Sequence, residues 1–402
     1  MNIAEVMWDR SQTRNISAES RKFGEGVNHK LANKMGEEFH YLELLWLKNR
    51  ATALSTFDRR RISFLNSGSD QFANSIFTAL PNEKLKLDSV EFQEAACCHM
   101  GRSSPLMSSL LGKRIRATGQ MAFVDDAGYV IKAISGVDGG HRSIFHNDIH
   151  YTLANSLLLA EVDIKGKGPR DTCKNLFNDI LNIPHEEESQ EGDRISQGII
   201  PDIVILDNKG RPRLCPLVPT DLEGLDTLAD VKTLGPGKCY ETPNKHPVTS
   251  RQEEVSRDYY AVANKLDVKY NGSSMGDFGP LSNRLNTYGK NGIVMGLVFG
   301  AFGEASSNVH MLAEFISRRQ ADIESRMVHG DYLTWRELKA RSKRLLYIGW
   351  GLTVHRGWAR MMRERSALLV TRNEKRIPLT QVDILGEELG MDTQHEELMR
   401  DN

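Results

Sequence analysis

Asp202, Asp230 and Lys232 are the residues whose types and spacing could do chemistry. The run Ile199-Ile200-Pro201-Asp202-Ile203-Val204-Ile205-Leu206 is β-rich and carries a carboxylate near its start, and Leu228 to Lys232 is a second such run that closes on Asp-x-Lys. Side chains alternate faces along a strand, so Asp230 and Lys232 share one face while Val231 points into the core. If the two runs pair, two carboxylates and an amine meet. Such carboxylates can hold a hard divalent cation, Mg²⁺ or Mn²⁺, and a lysine beside them can orient or help deprotonate an attacking water. That is equipment for phosphodiester hydrolysis. Taken alone, the same residues also read as a Pro-led strand with a solvated Asp and an unrelated surface Asp and Lys, since 27 residues separate the two acids.

The elements that must position these residues follow from periodicity. Ser143 is placed to cap a helix from Ile144 to Ala160, in which Ile149, Leu153, Leu157 and Leu158 make one apolar face. Glu161 to Ile164 reads as a short strand and Asn175 to Leu181 as a helical turn or two. His185 to Gln197 reads as a charged loop. The two acid-bearing runs follow, separated by the turn Asp207-Asn208-Lys209-Gly210 and an insertion with Pro212, Pro216 and Pro219. Arg251 to Leu266 is helical, with Val255, Tyr259, Val262 and Leu266 on one face. Leu281 to Tyr288 is a short helix, Ile293 to Phe299 a buried strand and Ser306 to Ala321 a helix. Two further amphipathic helices, about Thr334 to Tyr347 and Val354 to Val370, come last. Helix, strand, two acid-bearing strands, helix, strand and helix make an α/β class, a mixed sheet flanked by helices.

Before residue 141 the chain reads differently. Residues 1–35 are polar and form a loosely ordered arm, and residues 36–140 are a mainly helical region ending in a β-hairpin. Phe39, Leu42, Leu45 and Trp46 recur at helical spacing, a second helix starts near Ser69, and Ser89 is the expected cap of a third. The hairpin is expected from Met121–Val124 and Tyr129–Ile134 joined through Asp125-Asp126-Ala127-Gly128. Arg59, Arg60 and Arg61 read as a surface cluster.

At 402 residues, 40% hydrophobic and 26% charged, the chain can bury one large core or two to three smaller ones. No apolar run approaches a membrane span, and the first residues lack the apolar stretch of a signal peptide. A nuclear or cytoplasmic location is the expectation. Five cysteines form no Cys-x-x-Cys pair, and Cys97-Cys98-His99 has no second half at ligand spacing, so buried thiols are expected rather than a zinc site. The net charge of −1 hides a local excess: Arg336 to Arg376 holds twelve Lys and Arg against three Glu, while residues 381–402 hold seven acids. A basic block of this size reads either as a solvated helix face or as a phosphate-contacting surface.

Gly198-Ile199-Ile200-Pro201-Asp202, Leu228-Ala229-Asp230-Val231-Lys232-Thr233-Leu234 and the helix carrying Arg251, Val255 and Tyr259 resemble the PD-(D/E)XK, restriction-endonuclease-like nuclease superfamily. Within it they resemble a largely uncharacterised algal and protist group partly linked to mobile elements. Leu266-Asp267, Tyr270, Gly279-Pro280, His310 and above all Gly296 to Glu304 fit the same group. The resemblance covers roughly residues 140 to 370. It implies a restriction-endonuclease-like core over residues 141–320, a basic helical extension over 321–380 and an acidic tail over 381–402.

The resemblance further implies a metal-dependent DNA endonuclease, with RNA as the other candidate substrate. Asp202 and Asp230 would be metal ligands, the Val231 carbonyl a further donor, and Lys232 the water-activating residue. Glu161 is the candidate upstream acid, although the group's strand ends in Glu near the position of Lys165, a register that leaves two carboxylates. His146 and Asn147 match the group's pattern at the start of the helix, where the histidine either packs or takes part in chemistry. Arg251, Arg257, Lys339, Lys343, Arg344, Arg356 and Arg360 are the candidate nucleic-acid contacts, and Tyr259 either lines the cleft or fills the core. Glu304 is expected to buttress its turn, and His310 to be structural. The alternative function is a nuclease-fold protein, weak or inactive, that binds nucleic acid or a partner protein.

Overall fold

The structure, a computed structural model, describes residues 70–78, 86–99, 103–117, 120–133, 141–168, 171, 173, 199–206, 226–236, 238–240, 246–288, 294–327 and 333–373. All but Tyr240 belong to one compact unit spanning Ser67–Cys239 and Lys245–Asn402. The expected arm, the helix around Leu42, the arginine cluster, the helix at Asn175, the insertion between the acid-bearing runs and the acidic tail lie outside the described residues.

The class is mixed α/β, built on a four-stranded mixed sheet. In chain order the helices are α1 (Ser75–Thr78), α2 (Ser89–His99), α3 (Tyr129–Ala133), α4 (His141–Leu159), α5 (Pro247–Asn271), α6 (Pro280–Leu285), α7 (Ser307–Met327) and α8 (Trp335–Asn373). The strands β1 (Arg114–Ala117) and β2 (Gln120–Phe123) form a separate hairpin. The main sheet runs β3 (Ile164–Lys165), β4 (Ile203–Ile205), β5 (Thr227–Thr233), β6 (Met295–Phe299), antiparallel except for the parallel β5–β6 pair.

Period-2 alternation sorts this sheet into two apolar layers. Ile203, Ile205, Ala229, Val231, Met295, Leu297 and Phe299 face a core shared with α4, α7 and α8. Val204 and Leu228 face the opposite side, where Val255 and Ala263 of α5 and Leu281 and Leu285 of α6 pack. Each fully buried Leu, Ile, Val or Phe contributes about 1.5–3 kcal/mol, so a sheet covered on both faces is held firmly. α5 comes close because Gly296 of β6 has no side chain: a Cβ there would stand 3.0 Å from Gln252 O and 3.2 Å from Val255 Cγ2.

Several local expectations are revised. The hairpin closes between β1 and β2, and Tyr129–Ala133 is a helix because the Asp125 carboxylate accepts from the Tyr129 and Val130 amides at 2.8 and 2.7 Å, capping it. Asp88, rather than Ser89, caps α2: its carboxylate takes the Glu91 amide at 2.7 Å and Glu91 returns to the Asp88 amide at 3.1 Å, a capping box. The two expected C-terminal helices are one continuous helix of 39 residues. Gly351 and Gly357 mark close packing rather than a break. A Cβ on Gly351 would lie 2.5 Å from Phe72 O, and one on Gly357 would lie 2.0 Å from the Phe145 ring. Trp350 and Trp358 flank these positions, donating to Ser156 Oγ at 2.9 Å and Gly300 O at 3.2 Å.

The Gly-rich turn after β6 is fixed as expected by Glu304, fully buried, whose carboxylate accepts the Phe302 amide at 3.0 Å. His310 bridges Asp70 at 2.9 Å and Tyr347 at 3.0 Å, a structural link between α7, α8 and the segment before α1. Cys98 Sγ lies 3.2 Å from the buried Lys132 Nζ.

These approaches set a stability test. Gly357→Val should cost about 1–3 kcal/mol by overpacking Phe145. Gly349→Ala, where a Cβ meets nothing within 4 Å, should gain up to about 1 kcal/mol from helix propensity. Chemical denaturation of the two variants measures both; equal effects would mean that α8 does not approach α4 as described.

Candidate active site

The site is made by strand register. Ile203 pairs with Ala229, so extending the ladder one step sets Asp202 opposite Asp230, on the same side of the sheet. Directly opposed residues carry their Cβ atoms about 4.5–5.5 Å apart, close enough for the carboxyl groups to interact. Asp202 Oδ2 accepts the Val231 amide at 2.7 Å, which bends this carboxylate over the end of the ladder. Asp230 is buried, and its Oδ2 lies 2.7 Å from Lys232 Nζ, the two-residue alternation having placed both on one face. That oxygen is closed to solvent, with the Lys232 ammonium as its partner.

The first turns of α4 supply the third side. His146 Nε2 stands 3.1 Å from the Val231 carbonyl oxygen and 3.3 Å from Asp202 Oδ2, and its Nδ1 is 3.4 Å from Asn147 Oδ1. Both partners of Nε2 are acceptors, so this nitrogen carries the proton and donates. One turn on, the His150 ring holds the Gly166 carbonyl at 2.9 Å through Nε2. Gly166 is needed there: its φ is +84°, and a Cβ would collide with Asp202 O at 2.1 Å. From the other face, Tyr259 packs in the α5 layer and donates to Ile200 O at 3.3 Å. It serves core and site together.

Burial and charge act in opposite senses on the two acids. Burial, reinforced by the neighbouring Asp202 charge and resisted by Lys232, pushes Asp230 up to about 6. Burial also works against ionised Asp202, but the hydrogen bond and charge of His146 outweigh it and hold this carboxyl below its ordinary value. Burial disfavours charge on His146 as well, yet Asp202 outweighs it and raises the imidazole above the usual histidine range. Burial, with the charges of Asp230 and Asp202, keeps the Tyr259 phenol well above its usual range.

A cleft of about 780 Å³ opens beside this cluster, lined by Arg142, His146 and Asn147 from α4, Lys232 and Thr233 from β5, and Arg251 from α5, among others. Asp202 and Asp230 lie behind His146 and Lys232 rather than on its wall.

The chain matches no family model, no curated protein and no solved structure.

Asp202, Asp230, Val231 and Lys232 are thus brought together. Glu161 is not. It follows the C-terminal end of α4 as an exposed residue with φ 53°, while His146 sits in the helix's second turn. The 13 residues from His146 to Leu159 rise roughly 20 Å along the helix. Position on the strand ladder, not proximity in sequence, selects the partners of Asp202, and Ile164 and Lys165 rather than Glu161 form β3. Among the described residues no group of three His, Cys, Asp or Glu side chains is placed to hold a metal ion. Asp202, Asp230, the Val231 carbonyl and the His146 imidazole neighbour one another without forming such a group.

The expected nucleic-acid contacts divide. Arg251 lines the cleft but is paired at 3.0 Å with both Glu254 and Asp258. Lys339 and Lys343 converge on Glu314, and Arg356 and Arg360 on the buried Glu91. Two acids from α7 and α2 thus offset about half of the charge of these four cations. Arg257 and Arg344 are exposed. His146, Asn147 and Arg142 are the cleft residues that the charge block does not point to. The signal for His146 and His150 is their spacing: two histidines four apart share one helix face.

The raised Asp230 value fixes a sign. A carboxyl whose folded value lies above its unfolded one stabilises the fold fully at low pH and loses that contribution as pH rises, here between 3.8 and about 6. Asp230→Asn, which removes the buried charge, should therefore raise the metal-free melting temperature at pH 7.5, with the gain vanishing at pH 3.5. Melting curves in EDTA at the two pH values measure it; a variant less stable at pH 7.5 would reverse the assignment of the buried charge.

Proposed function

We propose that the chain is a divalent-metal-dependent endonuclease that hydrolyses phosphodiester bonds in DNA, on a restriction-endonuclease-like fold. The observation that carries the reading is the register placing Asp202 against Asp230, with the Val231 carbonyl and Lys232 amine on the same strand end. The bordering cleft brings Lys232, Arg142 and Arg251 to one concave surface, a shape that suits a phosphodiester backbone.

When bound, Mg²⁺ or Mn²⁺ supplies Lewis-acid stabilisation of the charge that develops on the phosphoryl oxygens and makes a bound water more acidic. Asp202 and Asp230 would hold that ion, with the Val231 carbonyl as a further donor. Asp230 suits the role because it is buried and burial disfavours its charge, which a cation would offset. Lys232, half-exposed at the cleft wall, would release Asp230 and orient the attacking water or take its proton. Arg142 would hold the phosphate in line. The buried middle of β5, Leu228–Val231, fixes Asp230 and the Val231 carbonyl in place, a condition for electrostatic stabilisation to accelerate the reaction.

A second reading, a nuclease-fold protein that binds nucleic acid without cutting, is favoured by one observation: no third carboxylate joins Asp202 and Asp230 among the described residues. Supercoiled plasmid with Mg²⁺ or Mn²⁺ separates the two. Metal-dependent nicking should fall to background in Asp202→Ala and Asp230→Ala, and by about 10²–10⁴-fold in Lys232→Met. Salt-sensitive DNA binding without nicking by the wild type would select the second reading.

A further inference from the structure

We propose that Cys98 and Lys132 form an oxidative modification site, at which peroxide drives a covalent bond between the Cys98 sulfur and the Lys132 nitrogen. The pair sits on α2 and α3, outside the candidate active site. Lys132 is only 2% exposed, and its Nζ donates to Cys98 Sγ at 3.2 Å. A buried ammonium ordinarily meets a carboxylate. Here the two nearby acids are engaged elsewhere: Glu94 Oε2 accepts the Ser104 hydroxyl at 2.6 Å, and the Asp125 carboxylate holds the Tyr129 and Val130 amides. Among the described residues, the sulfur is the acceptor that the Lys132 amine reaches. Two nucleophiles are thus held in contact, and Cys98 is half-buried rather than sealed, which admits a small oxidant.

The thiolate is the form of a cysteine that hydrogen peroxide oxidises to a sulfenic acid. The peroxide O–O bond breaks and one oxygen bonds to sulfur. The other leaves as hydroxide and takes a proton from the Lys132 ammonium, becoming water. Sulfur gives up two electrons and peroxide is reduced. Burial works against charge on Lys132, and a negative Cys98 sulfur is the first of the groups that outweigh it. A neutral S–OH withdraws that support and leaves a neutral amine against an electrophilic sulfur. Its lone pair forms the S–N bond as the S–O bond breaks, and the departing hydroxide takes an amine proton as a second water. The product is a sulfenamide, a cap that sulfenic acids form with nitrogen. Cys97 is the rival partner, but adjacent helical residues do not face each other. Their Cα atoms stand about 3.8 Å apart, short of the roughly 4.4 Å at which disulfides begin.

The full chain, treated with hydrogen peroxide, alkylated and digested, is read by tandem mass spectrometry, with melting curves before and after treatment. The wild type should yield the Cys98 and Lys132 peptides joined at their summed mass less two hydrogens, and dithiothreitol should release them. The joined species should vanish in Cys98→Ser and in Lys132→Met and persist in Cys97→Ser. Circular dichroism shows which variants fold, and either loss variant suffices. Because the bond ties helices through residues 34 apart in sequence, treated wild type should melt higher than untreated, and dithiothreitol should reverse the shift. A Cys97–Cys98 disulfide, Cys98 oxidised to sulfinic acid without the joined species, or a joined species that survives in Lys132→Met would overturn the inference.

Discussion

The antiparallel pairing of β4 with β5 is the constraint on which the site depends. Side chains along a strand have a period of two, so a slip of one residue would send Asp202 to the face opposite Asp230 and expose Ile203 in its place. Both faces of this sheet are buried: Ile203, Ala229 and Val231 pack toward α4, α7 and α8, and Val204 and Leu228 toward α5 and α6. A slip would therefore disturb two apolar layers at once. The register that brings the acids together is the one hydrophobic burial enforces, and the cost of placing charge there is met by the stability of the surrounding strands.

That cost is visible in the pairings. Asp202 is kept ionised by His146 and the Val231 amide, while Asp230, set deeper, has Lys232 as its partner and a raised affinity for a proton. Two like charges forced together in a poorly solvated site divide in this way: one is satisfied by donors, and the other is left needing a cation. Removing His146 would leave the largely buried Asp202 charge without its main donor, an expensive loss.

The basic C-terminal block shows how tertiary packing can offset part of a feature of composition. Twelve cations along residues 336–376 read either as a solvated helix face or as a phosphate-contacting surface. In the fold, Glu314 of α7 gathers Lys339 and Lys343, and Glu91 of α2 gathers Arg356 and Arg360. Those acids lie 25 or more residues away in sequence, so no local pattern shows the pairing. α8 is correspondingly a packing element, its Trp350, Trp358, Gly351 and Gly357 seated against α4, the turn after β6 and the segment leading into α1.

The sequence by itself determined the local elements and their faces. The apolar spacing of α4, α5 and α7, the buried strand at β6 and the alternation that puts Asp230 and Lys232 on one side are all short-range consequences of side-chain period. Tyr129–Ala133 was misread as strand because its β-branched composition says nothing of the Asp125 cap that decides for helix. The tertiary structure alone decided which strands pair, and hence that Asp202 faces Asp230. It also decided that the third group beside them is His146 rather than Glu161. A helix of 19 residues separates its two ends by far more than a site can span, so the residue at the end packed against β5 enters the cluster and the one at the other end cannot.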